Sequence, residues 1–168
     1  LSSMFSEFIL NDVHPPLYYI LLYYWGKIFG DNDFNIRLLS FVFIFISFIL
    51  SYLLLKKYFT RRTAVLFVAL SSFTPGVLYY AQEARMYALL YALANLASII
   101  YFIFIIKIKK NQTIEKKLHI TYFIIGVLIC YTHFFGYLLI FALSSVSILY
   151  SIKLKTNKNT INIFINSF

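Results

Sequence analysis

Long stretches without a charged side chain constrain this chain more than any other feature. Residues 38–55 hold 18 such positions, 63–82 hold 20, 86–106 hold 21 and 118–152 hold 35. A helix needs roughly 17–25 apolar residues to cross a hydrocarbon core of about 30 Å. The first three runs therefore predict one span each. The fourth predicts two, joined at Tyr131-Thr132-His133-Phe134-Phe135-Gly136. The run 13–26 has only 14 residues and carries Pro15-Pro16 near its start. It is too short to cross and predicts a helix lying in the interface. The expected fold is all-α and integral to a membrane: one interfacial helix plus about five transmembrane helices.

Composition agrees. A chain of 168 residues would suit one soluble domain, but 61% hydrophobic and 12% charged residues cannot cover a water-facing surface. Apolar dominance excludes disorder, and the single Cys130 excludes a disulfide framework. One membrane domain is expected over 1–168: an outer loop end with the interfacial helix over 1–35, five spans over 36–152, and a cytoplasmic segment with the start of another helix over 153–168. With Leu1 at its head, no basic n-region and a new apolar run at 160–165, the sequence is expected to be an internal piece of a longer protein.

The net charge of +9 is a topology signal. Lys56, Lys57, Arg61 and Arg62 fall between the first and second spans. Lys107, Lys109, Lys110, Lys116 and Lys117 follow the third, and Lys153, Lys155 and Lys158 follow the fifth. With five alternating spans these basic residues share one side, which the positive-inside rule assigns to the cytoplasm. A single span over 118–152 would break that pattern. The other side holds Glu7, Asp12, Asp31, Asp33 and Glu83 with only Lys27, Arg37 and Arg85. Tyr18, Tyr19, Tyr23, Tyr24, Trp25, Tyr79, Tyr80 and Tyr87 form an aromatic belt there. No nucleic-acid partner is expected.

Polar groups are expensive in this setting, so chemistry is sought at the outer face. In Asn11-Asp12-Val13-His14-Pro15-Pro16, the prolines start a helix and place His14 at its N-terminus, where N–H groups and the dipole favour an anion. The plainer alternative is that Asp12 or Asn11 caps the helix and His14 faces headgroups. In Tyr80-Ala81-Gln82-Glu83-Ala84-Arg85-Met86-Tyr87, an acid and a base stand two apart after a span bent by Pro75-Gly76. If helical, this segment puts Gln82, Arg85 and Met86 on one face and Glu83 and Tyr87 on the next. Either the charges are simply solvated, or they address a charged ligand, for which the planar guanidinium fork suits a phosphate. His133 in its aromatic turn is structural, or it joins His14 and Glu83 on that face. Those three allow a divalent metal as cofactor, though nothing in the spacing fixes a geometry. Asp33 and Arg37 read as an i,i+4 salt bridge at the start of the first span.

Taken together, Asp12-Val13-His14-Pro15-Pro16-Leu17-Tyr18-Tyr19, Phe29-Gly30-Asp31 with Arg37-Leu38-Leu39-Ser40, and Tyr80 to Tyr87 resemble the polyprenyl-phosphate-dependent GT-C glycosyltransferases. The branch they are most similar to holds the protein O-mannosyltransferases and the lipid A aminoarabinose transferase, a glycosyltransferase family 39-like group. Tyr131-Thr132-His133-Phe134-Phe135 resembles that group's next outer turn. The resemblance implies a GT-C-type helical bundle in the cytoplasmic (inner) membrane. It further implies inverting transfer of a sugar from a polyprenyl-phosphate lipid donor to a lipid, protein or glycan acceptor at the extracytoplasmic face. Glu83 matches the second-loop acid and, with Asp12, supplies the candidate catalytic carboxylates. His14, Arg85, Tyr87 and Gln82 are the candidate donor-phosphate residues. The resemblance further implies a first-loop acidic pair, expected upstream of Leu1.

Two other classes compete. A transporter or flippase fragment predicts charges or breaks at mid-membrane, whereas the charges here stand at span ends. A non-catalytic membrane subunit predicts polar residues without a favoured face, against the one-sided grouping of His14, Glu83, Arg85 and His133.

Overall fold

A computed structural model describes residues 14–110 and 112–153. Seven helices follow one another: α1 Leu17–Phe29, α2 Asp33–Tyr58, α3 Arg61–Ser72, α4 Pro75–Ala81, α5 Tyr87–Lys109, α6 Lys116–Cys130 and α7 Phe135–Lys153. The described residues contain no strand. Asp12 lies outside them.

Two helices are long and apolar enough to cross a membrane alone, α2 with 26 residues and α5 with 23. At 1.5 Å per residue they measure about 39 and 35 Å. Both leave a lipid-facing surface. On α2, Phe41, Phe45, Ile49 and Leu53 recur every fourth residue and stay exposed, which an aqueous globule does not tolerate over such an area.

The 63–82 run is broken into α3 and α4, which meet at 68° and make a third span if taken together. The cause is local. Thr74 is held extended, as the residue before a proline must be, and Pro75 starts α4 without an N–H to offer. Ser72 and Thr74 turn their hydroxyls back onto the carbonyls of Ala69 and Leu70, at 2.8 and 3.3 Å.

The 118–152 run becomes the expected hairpin, with its turn at residues 131–134. Its first arm, α6, has 15 residues and is about 22 Å long, shorter than the hydrocarbon core. The hairpin closes tightly around Gly136. A Cβ there would lie 2.5 Å from Ile129 Cγ2 and 2.7 Å from the Ile129 carbonyl oxygen. Backbone cannot yield to a methyl, so Gly136→Ala is expected to destabilise the protein by about 1–3 kcal/mol. The check is a lowered melting temperature in detergent; an unchanged one would mean that the hairpin opens freely.

Helices α2 and α5 run parallel and form the centre of the bundle. Ser47 Oγ lies 3.5 Å from the Ala92 carbonyl, and the Asn95 amide donates to Ser47 and Ser51 at 3.0 and 2.8 Å. Farther along, Lys107 stands over the Tyr58 ring at 5.5 Å. The buried face of α2 reads Ser40, Ile44, Ser47, Ser51, Leu55, and Ala88, Ala92 and Leu96 are buried on α5. Small residues at such an interface let two membrane helices approach closely.

The basic clusters gather at one end of this bundle. Lys57 stacks over Tyr58 at 4.9 Å, and Lys107 Nζ meets Glu115 Oε2 at 2.9 Å. That bond holds the Glu115 carboxyl below its ordinary value. The expected Asp33–Arg37 bridge is replaced. Asn32 caps α2 by accepting the Asn35 N–H at 2.9 Å, and the Asn35 side chain in turn donates to the Phe29 carbonyl. Asp33 and Arg37 share no ion pair; both are exposed, where such a pair contributes little.

Candidate functional site

At the end opposite the lysines, α1 is clamped into the bundle by a buried tyrosine. Tyr18 is fully buried among Leu39, Met86 and Leu89, with its hydroxyl 3.4 Å from Ser40 Oγ. Burial pushes its phenol up to about 12, so it stays protonated at neutral pH. Trp25 adds a second clamp, donating its indole N–H to the Asn35 carbonyl at 2.8 Å.

The Pro15-Pro16 pair does start α1, with Pro16 as the capping residue. Its first-turn N–H groups are not all left for an anion, however. The Leu17 N–H donates to the Tyr131 carbonyl at 3.2 Å. This bond ties α1 to the α6–α7 turn and brings His14 against His133, ring centroids 4.8 Å apart. His133 is buried, only 5% exposed. Its Nδ1 accepts the Phe135 N–H at 3.0 Å, which assigns the proton of the neutral ring to Nε2. Tyr87 stands 5.4 Å from His133 on another side, and Tyr80 stacks 4.8 Å from Tyr87. Two histidines and two tyrosines from three separate parts of the chain thus form one continuous aromatic wall.

Of the two readings open for 82–86, the structure takes the loop and not the helix. The segment is a run of bends between α4 and α5. Met86, expected beside Gln82 and Arg85, is buried under α1 with Tyr18 and Leu39, while Gln82 and Arg85 are exposed. Burying that apolar side chain costs the segment its helical register. Glu83 is half-buried. Its Oε1 accepts the Tyr79 hydroxyl at 2.6 Å, and its Oε2 lies 4.0 Å from Arg85 Nε. The Arg85 side chain is 66% exposed. The Tyr79 contribution was not read from the sequence, although its i,i+4 spacing to Glu83 was the available signal.

The structure therefore joins His14, His133 and Tyr87, and sets the Glu83–Arg85 pair on the loop leading into Tyr87. It does not assemble the expected metal set. Among the described residues no group of three His, Cys, Asp or Glu side chains is placed to hold a metal ion. Glu83 is instead engaged by Tyr79 and Arg85.

Residues 13–165 match the family model of the dolichyl-phosphate-mannose-protein mannosyltransferases. The chain belongs to that family. It is a membrane glycosyltransferase of the GT-C type, and the family works with polyprenyl-phosphate-linked sugars. The matched range includes every segment from His14 to the His133 turn. No curated protein and no solved structure matches the chain.

Proposed function

We propose that the full-length protein moves a sugar from a polyprenyl-phosphate donor to an acceptor hydroxyl at the extracytoplasmic face of the cytoplasmic membrane, inverting the anomeric centre. The acceptor is a lipid, a protein or a glycan. One observation carries this reading: His14, His133, Tyr87 and the Glu83–Arg85 loop stand at the end of the bundle opposite the lysines. By the positive-inside rule that end faces out.

The reaction breaks the bond between the anomeric carbon and the phosphate oxygen, whose electron pair leaves on the lipid phosphate. The acceptor oxygen attacks the opposite side of the carbon and loses its proton to a carboxylate. Charge builds on the phosphate, so cations aimed there contribute most. Arg85, largely exposed, has a fork for two phosphate oxygens, and His14 adds a ring N–H from the aromatic wall that Tyr87 joins at the end of the same loop. Glu83 is the first candidate carboxylate for the acceptor proton, and Asp12, two residues before His14 in sequence, is the second. Tyr87 and Gln82 border the donor phosphate. The aromatic belt and α1 seat the isoprenoid tail, so the donor arrives through the bilayer and the acceptor from water.

The test uses membranes carrying the full-length protein and a polyprenyl-phosphate mannose labelled in the sugar. Label is expected to leave the lipid-phosphate fraction, and His14→Ala is expected to slow that about tenfold, the equivalent of about 1.4 kcal/mol of transition-state stabilisation. Transfer from nucleotide sugars alone would overturn the reading.

A further inference from the structure

The lysine-rich end holds a second site that the transfer reaction does not use. A cleft of about 450 Å³ opens there between α2, α5 and α6. Its walls are hydrocarbon, from Leu50 and Leu54 on α2, Ile100 on α5 and Ile125 on α6. Lys57 and Lys117 stand at its mouth. Glu115 also reaches the mouth, where Lys107 meets it at 2.9 Å and Lys57 acts on it at longer range; one acid against Lys57, Lys107 and Lys117 leaves the mouth positive. Lys57 is steered by its seat over the Tyr58 ring, and neither it nor Lys117 joins an ion pair among the described residues. The positive N-terminus of α6 points to the same mouth, since Lys117 lies in its first turn.

We infer that this cleft binds one anionic phospholipid, with an acyl chain between the helices and the phosphate diester between Lys57 and Lys117. Charge decides the class. A phosphatidylcholine would bring its own cation to a mouth that already carries two, whereas phosphatidylglycerol brings a net negative charge. The length of apolar wall beneath the lysines excludes a free phosphate as the natural occupant. The site is independent of the proposed reaction, whose donor phosphate is placed at the other end of the bundle.

The experiment is thermal melting of the full-length protein in a neutral detergent. It is titrated separately with phosphatidylglycerol, phosphatidylcholine, a long polyprenyl phosphate and inorganic phosphate. Phosphatidylglycerol is expected to raise the melting temperature and phosphatidylcholine to leave it unchanged. In Lys57→Gln/Lys117→Gln the half-saturating phosphatidylglycerol concentration is expected to rise about tenfold. Arg62→Gln/Lys110→Gln, equally basic but outside the cleft, is expected to behave as the parent protein. Equal loss in both double variants would replace the site with a diffuse surface charge. A stronger response to inorganic phosphate or to the polyprenyl phosphate would overturn the phospholipid assignment. Should the cleft variant not fold, selectivity for phosphatidylglycerol over phosphatidylcholine in the parent protein decides alone.

Discussion

Glu83→Gln in the full-length protein is expected to lower sugar transfer about a hundredfold while leaving membrane insertion intact, because a positioned general base contributes roughly that much or more. The substitution keeps the shape of the side chain and removes only its charge and proton affinity. The Tyr79 hydroxyl at 2.6 Å can still donate to the amide oxygen, so the loop is expected to stay in place. Tyr79→Phe separates the two roles. It leaves the carboxylate but frees it to move, and a loss of only a few-fold is expected, the size of one hydrogen bond of about 1 kcal/mol. Arg85→Ala is expected to cost about tenfold and to raise the donor concentration needed for half-maximal rate, since a phosphate-facing cation acts on binding as well as on the leaving group. Near-normal transfer by both Glu83→Gln and Arg85→Ala would remove this loop from the site.

How far the sequence alone reaches can be seen at particular residues. The break at Pro75 was legible because a missing N–H and a restricted preceding residue act locally. So was the hairpin at 131–136, since a run of 35 uncharged residues has to fold back to keep the lysines on one side. The site was legible only as residue types near one face. What gathers His14 and His133 is a backbone bond from Leu17 to Tyr131, and no side-chain pattern encodes it. Whether 82–86 is helix or loop is left open by the sequence for a related reason. Periodicity sees Met86 as the next position on a helix face, while tertiary burial beside Tyr18 and Leu39 outweighs that local preference. The Asp33–Arg37 spacing likewise overstated an exposed pair that Asn32 makes unnecessary. Serines at 47 and 51 were invisible as structure. In an apolar run they read as tolerated, yet both are fully buried at the central helix contact.

That contact carries the second large expectation. Ser47→Leu should abolish the folded protein in detergent, seen as loss of the monodisperse species and rapid proteolysis. Ser47 has no exposed surface, and it sits against the Ala92 carbonyl and the Asn95 amide. An isobutyl group fits there only if α2 and α5 move apart, and overpacking of this kind costs about 1–3 kcal/mol, sometimes more. Separation would also undo the Asn95–Ser51 bond at 2.8 Å, so the losses compound. Ser47→Ala isolates the polar part. It keeps the close approach and removes two interhelical hydrogen bonds, the one to the Ala92 carbonyl long at 3.5 Å; at about 0.6 kcal/mol each on average in membrane proteins, melting only slightly below the parental value is expected. Phe45→Leu, on the lipid-facing side of the same helix, controls for generic effects of altering an apolar span and should change little. The ordering matters more than any single value: Leu at 47 severe, Ala at 47 mild, Leu at 45 silent. If Ser47→Leu melts like Ser47→Ala, the two central helices are not held by close packing, and the bundle must draw its stability from the larger cluster around Ile100, Phe104 and Ile129 instead.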